Sequence, residues 1–239
     1  EWLASSHAEG LPLMIQTMCP IDWMQFKLAE YNMFDYMPNW VEPLVGSAGE
    51  RAAKLRDPAV RVAMKQDILD WPHRRTDWSQ TRVLVAVHER NHQYEGMSIE
   101  ELGQATGKDP LDAFLDLALD EDLETEFELP PRNSEDQMAM RAKAFVKPYA
   151  HVSASDGGAH TRYTTLSTWP MWWLAFWIRD RGIMSLEQAH HKISARPAWL
   201  AEFKDRGALR VGNWADIIVY NQEELGFLYE KPIYANDFP

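Results

Sequence analysis

With 239 residues, 46% of them hydrophobic and 25% charged, the chain has room for a substantial core and the make-up of a globular protein, which excludes a disordered or fibrous class. Asp and Glu outnumber Lys and Arg by 36 to 24, and the resulting charge of -12 carries no segregated basic patch, which argues against nucleic acid as a partner. Apolar runs such as Trp169 to Ile178 fall short of the roughly 20 residues a bilayer requires, and no signal-peptide order opens the chain. A soluble, cytoplasmic protein without membrane contact is expected, and Cys19, its single cysteine, allows no internal disulfide.

Glu1 to Glu9 reads as the tail of a helix stopped by Gly10, so the chain opens mid-helix. Leu11 to Cys19, closed by Pro20, reads as a buried strand of a parallel sheet. Ile21 to Trp40 is aromatic and without a clean period. The capping-box spacing of Ser47 and Glu50 predicts a helix over about 48 to 56, and Asp57-Pro58 starts another running to 70. Thr81 to Val87 alternates as a strand that ends at His88. Helices follow from Ser98 to Thr106 and from Asp109-Pro110 to about Asp122. Glu124 to Leu129 is a weaker strand ended by Pro130-Pro131, Ser134 to Val146 a helix, and Tyr149 to Ser155 a short strand. Trp169 to Arg181 and Ser185 to Ala195 are helices, the second with a capping box in Ser185 and Gln188. Beyond Gly207, Ala208 to Arg210, a Gly212-Asn213 turn and Ala215 to Tyr220 read as a β-hairpin. Alternating strands and helices predict an α/β architecture with parallel strands.

Three groups could carry chemistry. Ser153 to His160 places Asp156 at the end of a strand ahead of two glycines, where barrel active sites are built. Asp156 suits a metal ligand or a general base, and equally a turn cap bonding the glycine amides. His88-Glu89-Arg90-Asn91-His92 spells the H-E-x-x-H string of zinc proteases, but that motif needs a helix and these residues follow Val83-Leu84-Val85-Ala86-Val87. Adjacent His190 and His191 point about 100° apart on a helix and cannot chelate together, so one is expected packed and the other solvated. Trp169, Trp172, Trp173 and Trp177 read as an aromatic core stripe, with a pocket wall as the alternative, and Cys19 as a small buried hydrophobe.

The order Ser155-Asp156-Gly157-Gly158-Ala159-His160, Ser185 to Ala189, Arg196-Pro197-Ala198, Asp205-Arg206-Gly207-Ala208-Leu209 and Gly212 to Val219 resembles the end of the amidohydrolase superfamily, in its N-acyl-D-amino-acid deacylase branch. Tyr94 to Leu102 and Gly107 to Pro110 are similar to the branch's segment ahead of its seventh strand. The resemblance implies the C-terminal part of a (β/α)8 barrel over residues 1–205, with an insertion around 21–123, and part of a small β-domain over 206–239. Leu11 to Cys19, Glu124 to Leu129 and Tyr149 to Ser155 would be its sixth, seventh and eighth strands. It implies a metal-dependent hydrolase of non-peptide amide bonds, with zinc as cofactor, a small N-acyl-amino-acid-like substrate, and Asp156 as metal ligand and proton shuttle. His160, Thr161 and Arg162 would contact substrate. The family's H-x-H pair is absent and its other ligands precede the sixth strand, so a fragment is expected, inactive alone, that associates with itself or with a missing N-terminal half. Two rival readings remain open: a non-catalytic subunit acting only by association, and a zinc protease through His88 and His92.

Overall fold

A computed structural model describes residues 2–11, 13–21, 24–70, 77–129, 134–152, 155 and 166–226. The chain divides into two compact units: Glu1–Asp22, Arg132–Thr161 and Thr165–Pro239 form one, and Trp23–Pro131 with Arg162–Thr164 forms the other.

The first unit holds helix α1 (Trp2–Ala8), which ends on Gly10 with φ at +81°, and strands β1 (Ile15–Thr17) and β5 (Ala150–Val152). These strands pair in parallel, Gln16 opposite His151. Against them packs α7 (Glu135–Phe145), started by a capping box between Ser134 and Gln137. After a 3-10 turn (Leu166–Thr168), α8 (Trp169–Met171) continues as a π-helix (Trp172–Asp180). A third run joins α9 (Leu186–His190), capped by the expected Ser185–Gln188 box, a π-turn (His191–Ala195) and α10 (Arg196–Leu200). Trp173 and Trp177 are fully buried with Phe145, Met138 and Val152, so the tryptophan stripe is core. Their indole N–H groups donate to Ala189 O at 3.3 Å and Cys19 O at 2.7 Å, satisfying the one polar atom each ring carries.

The second unit is built on a three-stranded antiparallel sheet, β2 (Met24–Phe26), β4 (Glu126–Leu129) and β3 (Arg82–Val85), with β4 central. Over it lie α2 (Pro38–Val41), α3 (Ala48–Leu55), α4 (Pro58–Asp70), α5 (Ile99–Thr106) and α6 (Pro110–Asp120). The Ser47–Glu50 box and the Asp57 cap are as expected, and Ser98–Glu101 is a further box. An aromatic cluster of Phe26, Phe34, Trp40, Phe114 and Phe127 fills the core, with Phe34 and Trp40 stacked at 4.2 Å.

Three expectations are corrected. β4 was expected as a barrel strand, yet it pairs antiparallel with β2 and β3, and barrel strands pair in parallel. Its company is the sheet of the second unit, Trp23–Pro131 with Arg162–Thr164. Second, β1 and β5 hydrogen-bond directly, whereas a sixth and an eighth strand would be separated by a seventh, so that numbering does not hold. Third, the hairpin expected over Ala208 to Tyr220 is absent among the described residues: Gly212 makes a turn at φ +92°, but neither arm pairs, and Leu209, Val211 and Ile217 to Val219 are exposed. Two extended arms form a ladder only where the turn brings them into register, and this turn does not.

Candidate active site

Because β1 and β5 run parallel, both chains leave the sheet at the same end, the end at which barrel enzymes assemble their chemistry. β1 leads through Thr17 to Cys19 and Pro20, and β5 leads through Val152 toward Ser155. Asp156, His160, Thr161 and Arg162 lie outside the described residues, as does His73.

What surrounds that end is defined. The Thr17 hydroxyl donates to His151 O at 3.0 Å, tying the two strands together by a side chain in addition to the backbone ladder. The Cys19 thiol is buried, donates to Trp169 O at 3.3 Å, and is pushed up to about 12 by its burial. Fully buried, bonded to a backbone carbonyl and in no metal-binding group among the described residues, Cys19 is the small core residue its solitude suggested. Arg141 reaches across to Met18 O at 3.0 Å and Pro20 O at 2.6 Å, holding the chain where it leaves β1.

His151 faces away from Ala150 and Val152, which enter the helix-covered core. Its Nδ1 is buried without a hydrogen-bond partner among the described residues. Burial, and then the neighbouring Arg196, hold its ring below the usual histidine range.

The H-E-x-x-H string adopts a 3-10 helix over Glu89–Tyr94, and His88 before it has an extended backbone at φ -92°, ψ 132°. Three residues per turn leave positions four apart about 120° out of line, so His88 and His92 do not converge as on an α-helix. The segment is organised by Glu121 instead. This buried carboxylate accepts from the backbone N–H of Val87 at 2.9 Å and His88 at 3.0 Å, from Asn91 Nδ2 at 3.0 Å, and from the Thr125 hydroxyl at 2.9 Å. Burial would raise its carboxyl, but these donors outweigh that and hold it below the usual range. The zinc-protease reading is thereby set aside. His190 is half-buried, 2.5 Å from the Tyr220 hydroxyl, and His191 is exposed, dividing the pair as expected.

No group of three or more His, Cys, Asp or Glu side chains that could hold a metal occurs among the described residues, so these alone do not fit a metal centre. Sequence reasoning passed over Glu121 and Lys192. Nothing in the middle acid of Asp120-Glu121-Asp122 or in a lysine after two histidines distinguishes a buried, hydrogen-bonded charge from a solvated one.

The segments that carry the family resemblance are locally coherent. Gly207 has φ +83°, and a Cβ there would lie 2.6 Å from Ala198 Cβ and 3.0 Å from Ser194 O. Trp214 N donates to Asp205 O at 2.9 Å, and Arg206 pairs with Asp216 at 2.5 Å while lying over the Trp214 ring. Arg196-Pro197-Ala198, Asp205-Arg206-Gly207 and Trp214 to Asp216 thus form one lock, in which the glycine lets the loop close against the helix.

The model of the amidohydrolase family matches residues 53–228. No curated protein matches the chain. A solved structure, N-acyl-D-glutamate deacylase from Bordetella bronchiseptica complexed with zinc and a phosphonate inhibitor that mimics the reaction's tetrahedral intermediate, is similar at 17% identity with a TM-score of 0.45. The similarity covers 90% of this chain and 34% of that one, so this chain spans about a third of its length.

Proposed function

The chain belongs to the amidohydrolase family, and from that membership we propose that it forms part of a cytoplasmic, metal-dependent hydrolase of non-peptide amide bonds, of the N-acyl-amino-acid deacylase kind. The observation that carries this reading is the family match over 53–228, which includes both the Asp156 segment and the lock around Gly207. In this proposal Asp156 follows β5 and acts as the proton shuttle: its carboxylate takes a proton from the attacking water and returns it to the leaving amine. Asp156 is also the one metal ligand assigned to this chain, zinc being the proposed ion, with the other ligands outside the described residues. The metal would supply charge stabilisation to the reacting carbonyl. His160, Thr161 and Arg162 are proposed to contact the acyl-amino-acid substrate. Unpaired apolar residues at Leu209, Val211 and Ile217 to Val219 support a further proposal, that the chain associates with itself or with another β-segment of the full protein.

The test is hydrolysis of a panel of N-acyl-D- and N-acyl-L-amino acids by the full-length protein carrying residues 1–239, before and after chelation. Turnover of at least one member, abolished by chelation and restored by zinc, is the expected result. Chelator-resistant turnover, or none across the panel, would overturn the reading.

A further inference from the structure

A groove of about 510 Å³ lies between the end of α7 and the run from α9 to α10. Its apolar lining includes Val146, Ile183 and Met184, and its cationic lining is Lys192 and Arg196. Lys192 is 7% exposed, and its Nζ donates to Lys147 O at 2.8 Å and Ala150 O at 3.1 Å. Two of the ammonium's three protons are thereby used. Neither Lys192 nor Arg196 makes an ion pair among the described residues. Glu187, the acid in the wall, is exposed and engaged by the Ser185 hydroxyl at the start of α9.

Two like charges at a partly desolvated site repel each other, and burial together with Arg196 draws the Lys192 ammonium down to about 8. His151 on β5 is held below its ordinary range by burial and then by Arg196, while the backbone of Lys192 acts the other way. An anion seated in the groove would relieve the repulsion, and the apolar lining suits the hydrocarbon part of the same molecule. We propose that this groove binds a small carboxylate bearing an apolar group, with its carboxylate on Arg196 and the remaining proton of Lys192, and its apolar part against Val146, Ile183 and Met184. The lysine's partners, Lys147 and Ala150, come at the start of β5, the opposite end from the one the chain leaves toward Ser155. The proposal does not depend on the hydrolytic reading.

Equilibrium dialysis with hexanoate, 1-hexanol and inorganic phosphate tests it on the full-length protein. Saturable hexanoate binding is expected, weakened about tenfold or more by Arg196→Gln and largely kept by Arg196→Lys, with hexanol and phosphate each binding about tenfold more weakly. Circular dichroism of the Gln variant should match the parent. No saturable hexanoate binding, binding unchanged in a folded Arg196→Gln protein, or equal binding of hexanol or of phosphate would overturn the assignment.

Discussion

Single atoms decide two features of this molecule, and each yields a prediction. At Gly207 the backbone is left-handed and a methyl would strike Ala198 Cβ at 2.6 Å. Gly207→Ala should cost about 2 to 4 kcal/mol, from the left-handed conformation and overpacking together, read as a lowered urea midpoint with unchanged m-value. At Glu121 four donors converge on one buried carboxylate. Glu121→Gln turns an amide N–H toward donors and should cost about 1 to 3 kcal/mol at neutral pH. Since the folded-state pKa lies below the ordinary 4.5, folding disfavours protonation here. The stability is fully present above the unfolded value and is lost as pH falls through the folded one. The gap in urea midpoint between parent and variant should therefore narrow as pH falls below the ordinary 4.5. A gap that widened on acidification would contradict the hydrogen-bond account. His88→Ala and His92→Ala should leave metal content unchanged and activity close to that of the parent, as measured by metal analysis and turnover in the full-length protein, since the 3-10 turn keeps the two rings apart.

Elements were legible where their ends are chemically marked. Ser47 with Glu50, Asp57-Pro58, Asp109-Pro110 and Ser185 with Gln188 each start a helix where the side chain meets an orphan N–H. Strands were legible by existence and poorly by partner. The alternation in Glu124 to Leu129 marks a strand, but an alternating segment reads the same whether its neighbours run parallel or antiparallel, and only Phe26, Phe127 and Val83 in register show which. β2 escaped notice because three residues within an aromatic stretch carry no period. The hairpin reading failed for the related reason that turn chemistry at Gly212-Asn213 is local, while a ladder needs a partner. The candidate site was legible only as a resemblance, since Asp156 and the residues after it have no geometry among those described. Among the helices, the π-helical stretch is held by Trp177, whose N–H donates to Cys19 O. Trp177→Phe should lower stability by about 1 to 3 kcal/mol, measured by thermal unfolding, because it orphans a buried carbonyl.

For the whole molecule, the two units rest on different chemistry: a parallel strand pair under tryptophan-rich helices, and an antiparallel sheet under an aromatic cluster. The family match runs through residues of both, from residue 53 to residue 228. No helix among the described residues is long and apolar enough to cross a membrane. The central claim is that a carboxylate following β5 carries proton transfer in amide hydrolysis, and it is tested most directly by the kcat of Asp156→Asn in the full-length protein. An amide cannot take the proton that water must lose, so turnover should fall by roughly 10²- to 10⁴-fold while the circular dichroism spectrum and urea midpoint stay those of the parent. A folded Asp156→Asn protein with near-parental kcat would contradict the account.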